Sequence, residues 1–305
     1  MKKKTITIVA VISTALLLGG AGLLVKDDAQ QAQKNAEIKP YALTQDVQDK
    51  LDQIADELTA ETQAVNLENT SIPESFNIPE NFTDATEILE TTGIFDISDS
   101  TEESRISDTL PTEIYQQLQD AAQTLTDAYP DAIGWLYIPD TSINYPLMQG
   151  EDNEFYLHHA YDGSYLSAGS VFLDCRCAPN FMNPINVVYA HNMKNGSMFA
   201  GIINFKNSAY FESHKYGWLS TSDKVYRIDF FSVAVADWHD SIYDGSLLIT
   251  DWMNQVQNLS QIFNGISYDE TDKFISLSTC SSEFQNARTV LTGRLVEMNG
   301  GDMDG

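Results

Sequence analysis

From Ile133 onward the chain is cut into short apolar or alternating runs: Ile133–Ile138, Ile143–Met148, Ser170–Asp174, Ile185–Ala190, Lys224–Ala236, Lys273–Thr279 and Arg288–Val296. Turn chemistry such as Pro139-Asp140, Gln149-Gly150 and Asp162-Gly163 separates them. An open sheet of short strands leaves edges that pair with other chains, and closure removes those edges. The pattern therefore predicts a mainly β fold around a closed or nearly closed barrel. Helical spacing appears beside it in two places. Leu110, Ile114, Leu118, Leu125 and Tyr129 mark a helix with Thr109 as its cap, Pro111 in its first turn and Tyr129-Pro130-Asp131 at its end. Leu248, Trp252, Val256, Leu259 and Phe263 mark a second helix over Leu247–Phe263, inserted between the run ending near Ala236 and the one beginning near Lys273.

Three chemical groups sit at the ends of strand-like runs. Cys280 closes one, Arg288 opens the next after a short polar loop, and His191 follows Ile185–Ala190. Two alternating runs joined by such a loop form a hairpin-like pair, which brings the thiol and the guanidinium to one rim. A thiol becomes a nucleophile when a base or a cation favours its thiolate. An imidazole can take the thiol proton or give one to a leaving amine. A guanidinium offers a fork of donors to a developing oxyanion. The constellation therefore suits acyl transfer. His158, His159, His214 and His239 compete for the role of base, but none ends a comparable apolar run. Glu283, in the loop after Cys280, is expected to be a solvated carboxylate. Trp135, Tyr137, Tyr145 and Tyr156 are expected to pack in the core and at its rim. Cys175 and Cys177 flank Arg176, and two ligands do not make a metal site, so no metal is expected.

The chain opens Met1-Lys-Lys-Lys4 and then runs uncharged from Thr5 to Val25. About twenty apolar residues match a hydrocarbon core of about 30 Å. A basic start and the absence of a small-residue cleavage site predict an uncleaved signal anchor over residues 1–26, with the lysines in the cytoplasm and everything after it outside the cell. Residues 27–108 are acidic and polar, which predicts an extracellular stalk that stays largely extended and solvated. One part departs from that. Leu43, Val47, Leu51, Ile54, Leu58 and Val65 form an amphipathic stripe that either pairs with a second copy or packs back on the domain. A short repeat, Ile72–Phe76 and Ile78–Phe82, is expected to be a kinked linker. Residues 109–305 make the catalytic domain, long enough for a full core without disulfide staples. A formal net charge of −27 excludes nucleic-acid binding, which needs Lys/Arg clusters. It also disfavours electrostatic docking on an anionic lipid surface. With only three cysteines, an exported chain has one thiol left over, which is a candidate reactive group.

The ordered set Tyr189-Ala-His191-Asn-Met193, Leu277-Ser-Thr-Cys280 and Arg288 resembles the class B sortases. So do Ile133-Gly-Trp-Leu-Tyr-Ile138, Asp152-Asn153 with Tyr156-Leu157, Gly169–Asp174 and Gly196-Ser-Met-Phe199. The resemblance covers roughly Thr109 to Val296 and departs from the family at Ala190, where a glycine is usual. It implies a closed eight-stranded barrel with N-terminal helices and one long helix inserted before the cysteine strand. It also implies a membrane-anchored, cofactor-independent cysteine transpeptidase, single-pass with its catalytic domain outside. In that enzyme Cys280 attacks the threonine carbonyl of a C-terminal sorting motif on a surface protein, His191 moves the proton and Arg288 holds the carbonyl. Ser278 and Thr279 lie in the motif that lines the substrate groove, and Tyr243 is a candidate for the same groove. The acceptor is an amine of a peptidoglycan precursor or a pilin lysine. A papain-like protease expects its cysteine before its histidine and is the alternative enzyme reading. A non-catalytic anchored scaffold on the same barrel is the alternative of another kind.

Overall fold

A computed structural model describes residues 29–38, 42–70 and 108–301. Strands β2 (Ala132–Tyr137), β3 (Asn144–Met148), β4 (Val171–Leu173), β5 (Ile185–Tyr189), β6 (Tyr216–Ser220), β7 (Val225–Asp237), β9 (Lys273–Cys280) and β10 (Ala287–Glu297) form one sheet in the order β10-β9-β5-β4-β3-β2-β6-β7. Pairing of β10 with β7 closes this sheet into an eight-stranded barrel. Closure is possible because β7 is long: its first residues pair with β6 while the whole strand runs antiparallel to β10. Beyond β6, the far half of β7 takes on a ninth strand, β8 (Ser260–Phe263), outside the ring. A register shift opposite Thr292 and Gly293 leaves Phe231 as an extra residue on β7 and bends that strand. Only glycine fits at the Gly293 position, since a Cβ on it would stand 2.5 Å from Ile228 Cγ2.

Two layers of apolar packing result. Leu136, Leu147, Val188, Leu219, Ile275, Leu277 and Leu291 fill the barrel. On the outer face, Ile185, Val187, Phe231, Phe274 and Val290 pack beneath a helix, Ile249–Leu259, that buries Trp252, Met253 and Val256. This helix lies before the cysteine strand as expected, but it is shorter. Ser260–Phe263 leaves the helix to pair with the unused half of β7, because unfilled ladder groups there outweigh the helical spacing of Leu259 and Phe263.

The lead-in also differs from expectation. Thr109–Pro111 is a short strand, β1, parallel to β11 (Asn299–Gly301), so the N-cap position falls on Pro111 rather than on Thr109. The helix begins at Thr112, with Pro111 at its N-cap and no side-chain cap. Tyr216–Ser220 escapes the pattern because all five residues are buried, which erases alternation.

Helices α1 (29–38) and α2 (Gln45–Thr70) are not a free stalk. Leu43, Val47 and Leu51 enter the barrel's main core, and Ala55 and Leu58 pack on Tyr216. Polar contacts line the same seam: Asn144 donates to Gln48 at 3.0 Å, Tyr137 donates to Asp52, and Thr62 meets the Tyr216 hydroxyl at 2.9 Å. Residues 29–38, expected to be extended, form a helix fastened by an ion pair of 2.6 Å between Lys34 and Asp162. The amphipathic stripe thus packs on its own domain. Val65's side chain, the repeat at residues 72–82 and the apolar segment at residues 5–25 lie outside the described residues. Among those described, no helix is long and apolar enough to cross a membrane.

Leu51 is fully buried. Leu51→Ala is expected to lower the unfolding free energy by about 2–4 kcal/mol in urea titrations, as for a core truncation. A change within about 0.5 kcal/mol, the range of a surface site, would contradict the packing described.

Candidate active site

The site follows from the register of three neighbouring strands. β5 lies parallel to β9 with Tyr189 opposite Ser278, and β9 lies antiparallel to β10 with Cys280 directly opposite Arg288. Side chains alternate along a strand, so residues two apart share a face. Phe274, Ser276, Ser278 and Cys280 therefore share one face of β9. Val290 and Arg288 continue it on β10, and Val187 and Tyr189 continue it on β5, with His191 two residues beyond the end of that strand. Packing identifies this as the outer face, because Phe274, Val187 and Val290 lie beneath the inserted helix rather than in the barrel. Cys280 and Arg288 thus stand together at one rim, just beyond the cover that helix provides, and the segment carrying His191 runs beside the end of β9.

Hydrogen bonds keep the chain beyond β5 beside the end of β9. Thr279 Oγ1 donates to the Ala190 carbonyl at 2.8 Å, Ala190 N–H to the Ser278 carbonyl at 3.3 Å, and Asn192 Nδ2 to the Cys280 carbonyl at 2.9 Å. Cys280 is an exposed free thiol. His191 is half-buried, with Nε2 at 2.8 Å from the Leu157 carbonyl. A carbonyl only accepts, so Nε2 carries the hydrogen and Nδ1 is the basic nitrogen of the neutral ring. The His158 ring stacks beside it, with centroids 5.9 Å apart. Leu157 closes a 3₁₀ turn, Phe155–Leu157, against Gly169. Gly169 has φ +59°, and a Cβ there would stand 2.4 Å from the Tyr156 carbonyl, so the turn needs glycine.

Arg288 Nη1 donates to the carbonyls of Ala287 at 3.0 Å and Asn286 at 3.2 Å, which folds the guanidinium onto its own loop. Ser278 and Thr279 are both buried. Ser278 Oγ lies 2.9 Å from the Tyr243 hydroxyl, and the Tyr243 ring stacks on Tyr189. Burial pushes the Tyr243 phenol up to about 12, against the pull of the Ser278 bond. Trp252 Nε1 donates to the Ile242 carbonyl at 2.9 Å, tying the inserted helix to the turn that carries Tyr243. Ser278 and Tyr243 thus form one wall beneath Cys280, whereas Thr279 faces the other way.

Several residues have no signal that sequence alone could read. The Leu157 carbonyl is a backbone group, and the Asn192 contact spans 88 residues. Glu283 is an exposed loop carboxylate as expected, but it is not unpartnered. It pairs with Lys206, which, ahead of Ser281, holds its carboxyl down at about 2. Cys175 and Cys177 are free thiols at the opposite end of β5, where Cys177 Sγ lies 3.7 Å from the Ile185 carbonyl.

Asp174, beside Val187 of β5, supports the wall, since Tyr189 donates to its carboxylate at 3.0 Å. Burial works against the Asp174 charge. The Arg176 fork, the Arg176 N–H, Asn153 and Tyr189 outweigh that penalty and hold the carboxyl at about 2.

No protein-family model matches the chain. It is 30% identical over 195 residues to sortase B of Listeria monocytogenes, an alignment spanning 62% of this chain and 79% of that protein. Among solved structures, a mutant form of Clostridium perfringens sortase B superposes with a TM-score of 0.56 at 30% identity, covering 62% of this chain and 93% of that one. A Streptococcus pyogenes class B sortase involved in pilus biogenesis superposes with a TM-score of 0.53 at 28% identity, covering 57% of this chain and 96% of that one. With a reactive rim on a closed barrel, these similarities make the chain a sortase-type cysteine transpeptidase. Within that class it belongs to the sortase B family.

A carboxyl held below its ordinary value of about 3.9 stabilises the fold above that pH, and the contribution fades as pH falls toward the folded value. Asp174→Asn is expected to lower stability by about 2 kcal/mol near neutral pH, with the gap closing between about pH 4 and pH 2 in urea titrations. A gap independent of pH would contradict the assignment.

Proposed function

We propose that Cys280 is the nucleophile of a transpeptidation in which a C-terminal sorting motif is cleaved after threonine and transferred to an amine. The observation carrying this is the direct register of Cys280 with Arg288, beside the segment that carries His191. The Cys280 thiolate adds to the threonine carbonyl carbon, and Arg288 donates to the oxyanion that develops. As the tetrahedral species collapses, the C–N bond breaks and protonated Nδ1 of His191 gives its proton to the departing amine, leaving a thioacyl intermediate on Cys280. The incoming amine then loses its proton to Nδ1 as it attacks, and Cys280 departs. Nε2 stays bonded to Leu157 throughout, so the ring keeps one orientation. Ser278 and Tyr243 form the floor under the bound motif. Thr279 acts through its bond to Ala190, as a tie between β5 and β9.

The donor is a surface protein bearing the sorting motif, and the acceptor is an amine of a peptidoglycan precursor. The S. pyogenes neighbour involved in pilus biogenesis favours a pilin lysine as the second acceptor. The uncharged segment Thr5–Val25 is the single-pass anchor in this reading, with the barrel outside the membrane.

The test joins a library of sorting peptides to amine acceptors and follows products by mass spectrometry. Cys280→Ala should abolish both transfer and the Cys280-linked intermediate while keeping the parent's melting temperature. Arg288→Ala should cut kcat by about 10²-fold or more with a smaller change in KM, as for a lost oxyanion donor. Transfer by Cys280→Ala would overturn the assignment. Failure of the parent to form any Cys280 adduct would favour the scaffold reading.

A further inference from the structure

The loop between β9 and β10 carries the thiol at its start and the guanidinium at its end. Ser281 N–H donates to the Ala287 carbonyl at 3.0 Å, so the backbone donor just after the nucleophile is engaged inside the loop. Stabilisation of an oxyanion therefore falls more heavily on Arg288. Arg288 Nη1 is itself seated on the carbonyl of Asn286, the last loop residue, and on that of Ala287, the first of β10, so the loop's end helps set where the guanidinium lies.

The middle of this loop is held from outside. Glu283 forms an ion pair with Lys206, whose side chain is only 17% exposed against 34% for Glu283. Lys206 is the last residue of a 3₁₀ helix, Phe199–Lys206, and Phe199, Ile202 and Phe205 sink that helix into the main core. Its first residue grips the other catalytic element, because Phe199 N–H donates to the His191 carbonyl at 2.9 Å. One rigid strut thus holds His191 at its start and the Cys280–Arg288 loop at its end. Asn192, bonded to the Cys280 carbonyl, closes the circuit on the far side.

We propose that Lys206 and Glu283 are positioning residues for the transfer reaction, fixing the β9–β10 loop so that the Arg288 guanidinium stands over the carbonyl attacked by Cys280. The proposal rests on the assignment of Cys280 and Arg288 made above. An exposed ion pair with no such task contributes little to stability, and its loss leaves kinetics unchanged. A pair that places a transition-state donor behaves differently: losing it lowers kcat and barely moves KM.

The experiment measures kcat and KM for Lys206→Met, Glu283→Gln, the double variant and the exchange Lys206→Glu/Glu283→Lys. Each is made in the parent and in an Arg288→Ala background, with melting temperatures recorded. Each single variant should lower kcat about tenfold with KM within about twofold, the double should be no worse than the weaker single, and the exchange should recover most of the loss. In the Arg288→Ala background the same substitutions should have no further effect on kcat, which a general structural role does not predict. Kinetics within about twofold of the parent for both single variants would overturn the proposal. So would a tenfold loss that persists without Arg288. Cys280→Ala, run in the same assay, separates the two claims: if the parent's transfer does not depend on Cys280, both assignments fall together.

Discussion

The site depends on the pairing of β5 and β10 on either side of β9. With Tyr189 opposite Ser278 and Arg288 opposite Cys280, one face carries the thiol and the guanidinium, and the turn leaving β5 brings His191 beside the end of β9. A slip of one residue in the β9–β10 ladder would turn the thiol or the guanidinium into the barrel interior, where Leu277 and Leu291 lie. Burial on both faces prevents that slip. The interior residues fill the barrel, and the outer ones are covered by the helix Ile249–Leu259. The inserted helix therefore does more than decorate the fold: it makes the outer face of β9 a second core, which ends where Cys280 emerges.

Around this site the groups divide by task. His191 is oriented from three sides, by the Leu157 carbonyl, by Phe199 and by the Thr279–Ala190 tie. Each is a backbone or buried contact, so the ring is held without a carboxylate partner bonded to Nε2. Arg288 leans on a loop, a softer support than a ladder, and the loop in turn leans on Lys206. The packed wall of Tyr189, Tyr243 and Ser278 is tied to Asp174, which stands beside Val187 of β5.

Much of this was legible in the residues themselves, for identifiable reasons. Period-two runs around a short polar loop specify a hairpin, so the meeting of Cys280 and Arg288 follows from local pattern. The neighbourhood of β5 and β9 does not, because parallel pairing between distant segments has no local signal; the ordered motifs and their family resemblance supplied it. Tyr216–Ser220 is buried on every side chain and so shows no alternation. Ser260–Phe263 carries helical spacing, yet open ladder groups on β7 claim it. The polar, Gln-rich composition of residues 29–38 pointed to solvent, whereas Lys34 and Ile38 anchor that segment on the barrel. Glu283 reads as one loop carboxylate among many, and only the fold brings Lys206 to it.

The central claim is geometric, and a structure of the enzyme carrying a threonine-ended sorting-peptide analogue linked to Cys280 tests it most directly. The account predicts the linked carbonyl on the outer face of β9, with His191 Nδ1 on the β5 side, the Arg288 guanidinium on the β10 side and the peptide lying over Ser278 and Tyr243. A linked carbonyl turned into the barrel, or His191 and Arg288 on opposite faces of the sheet around it, would contradict the account.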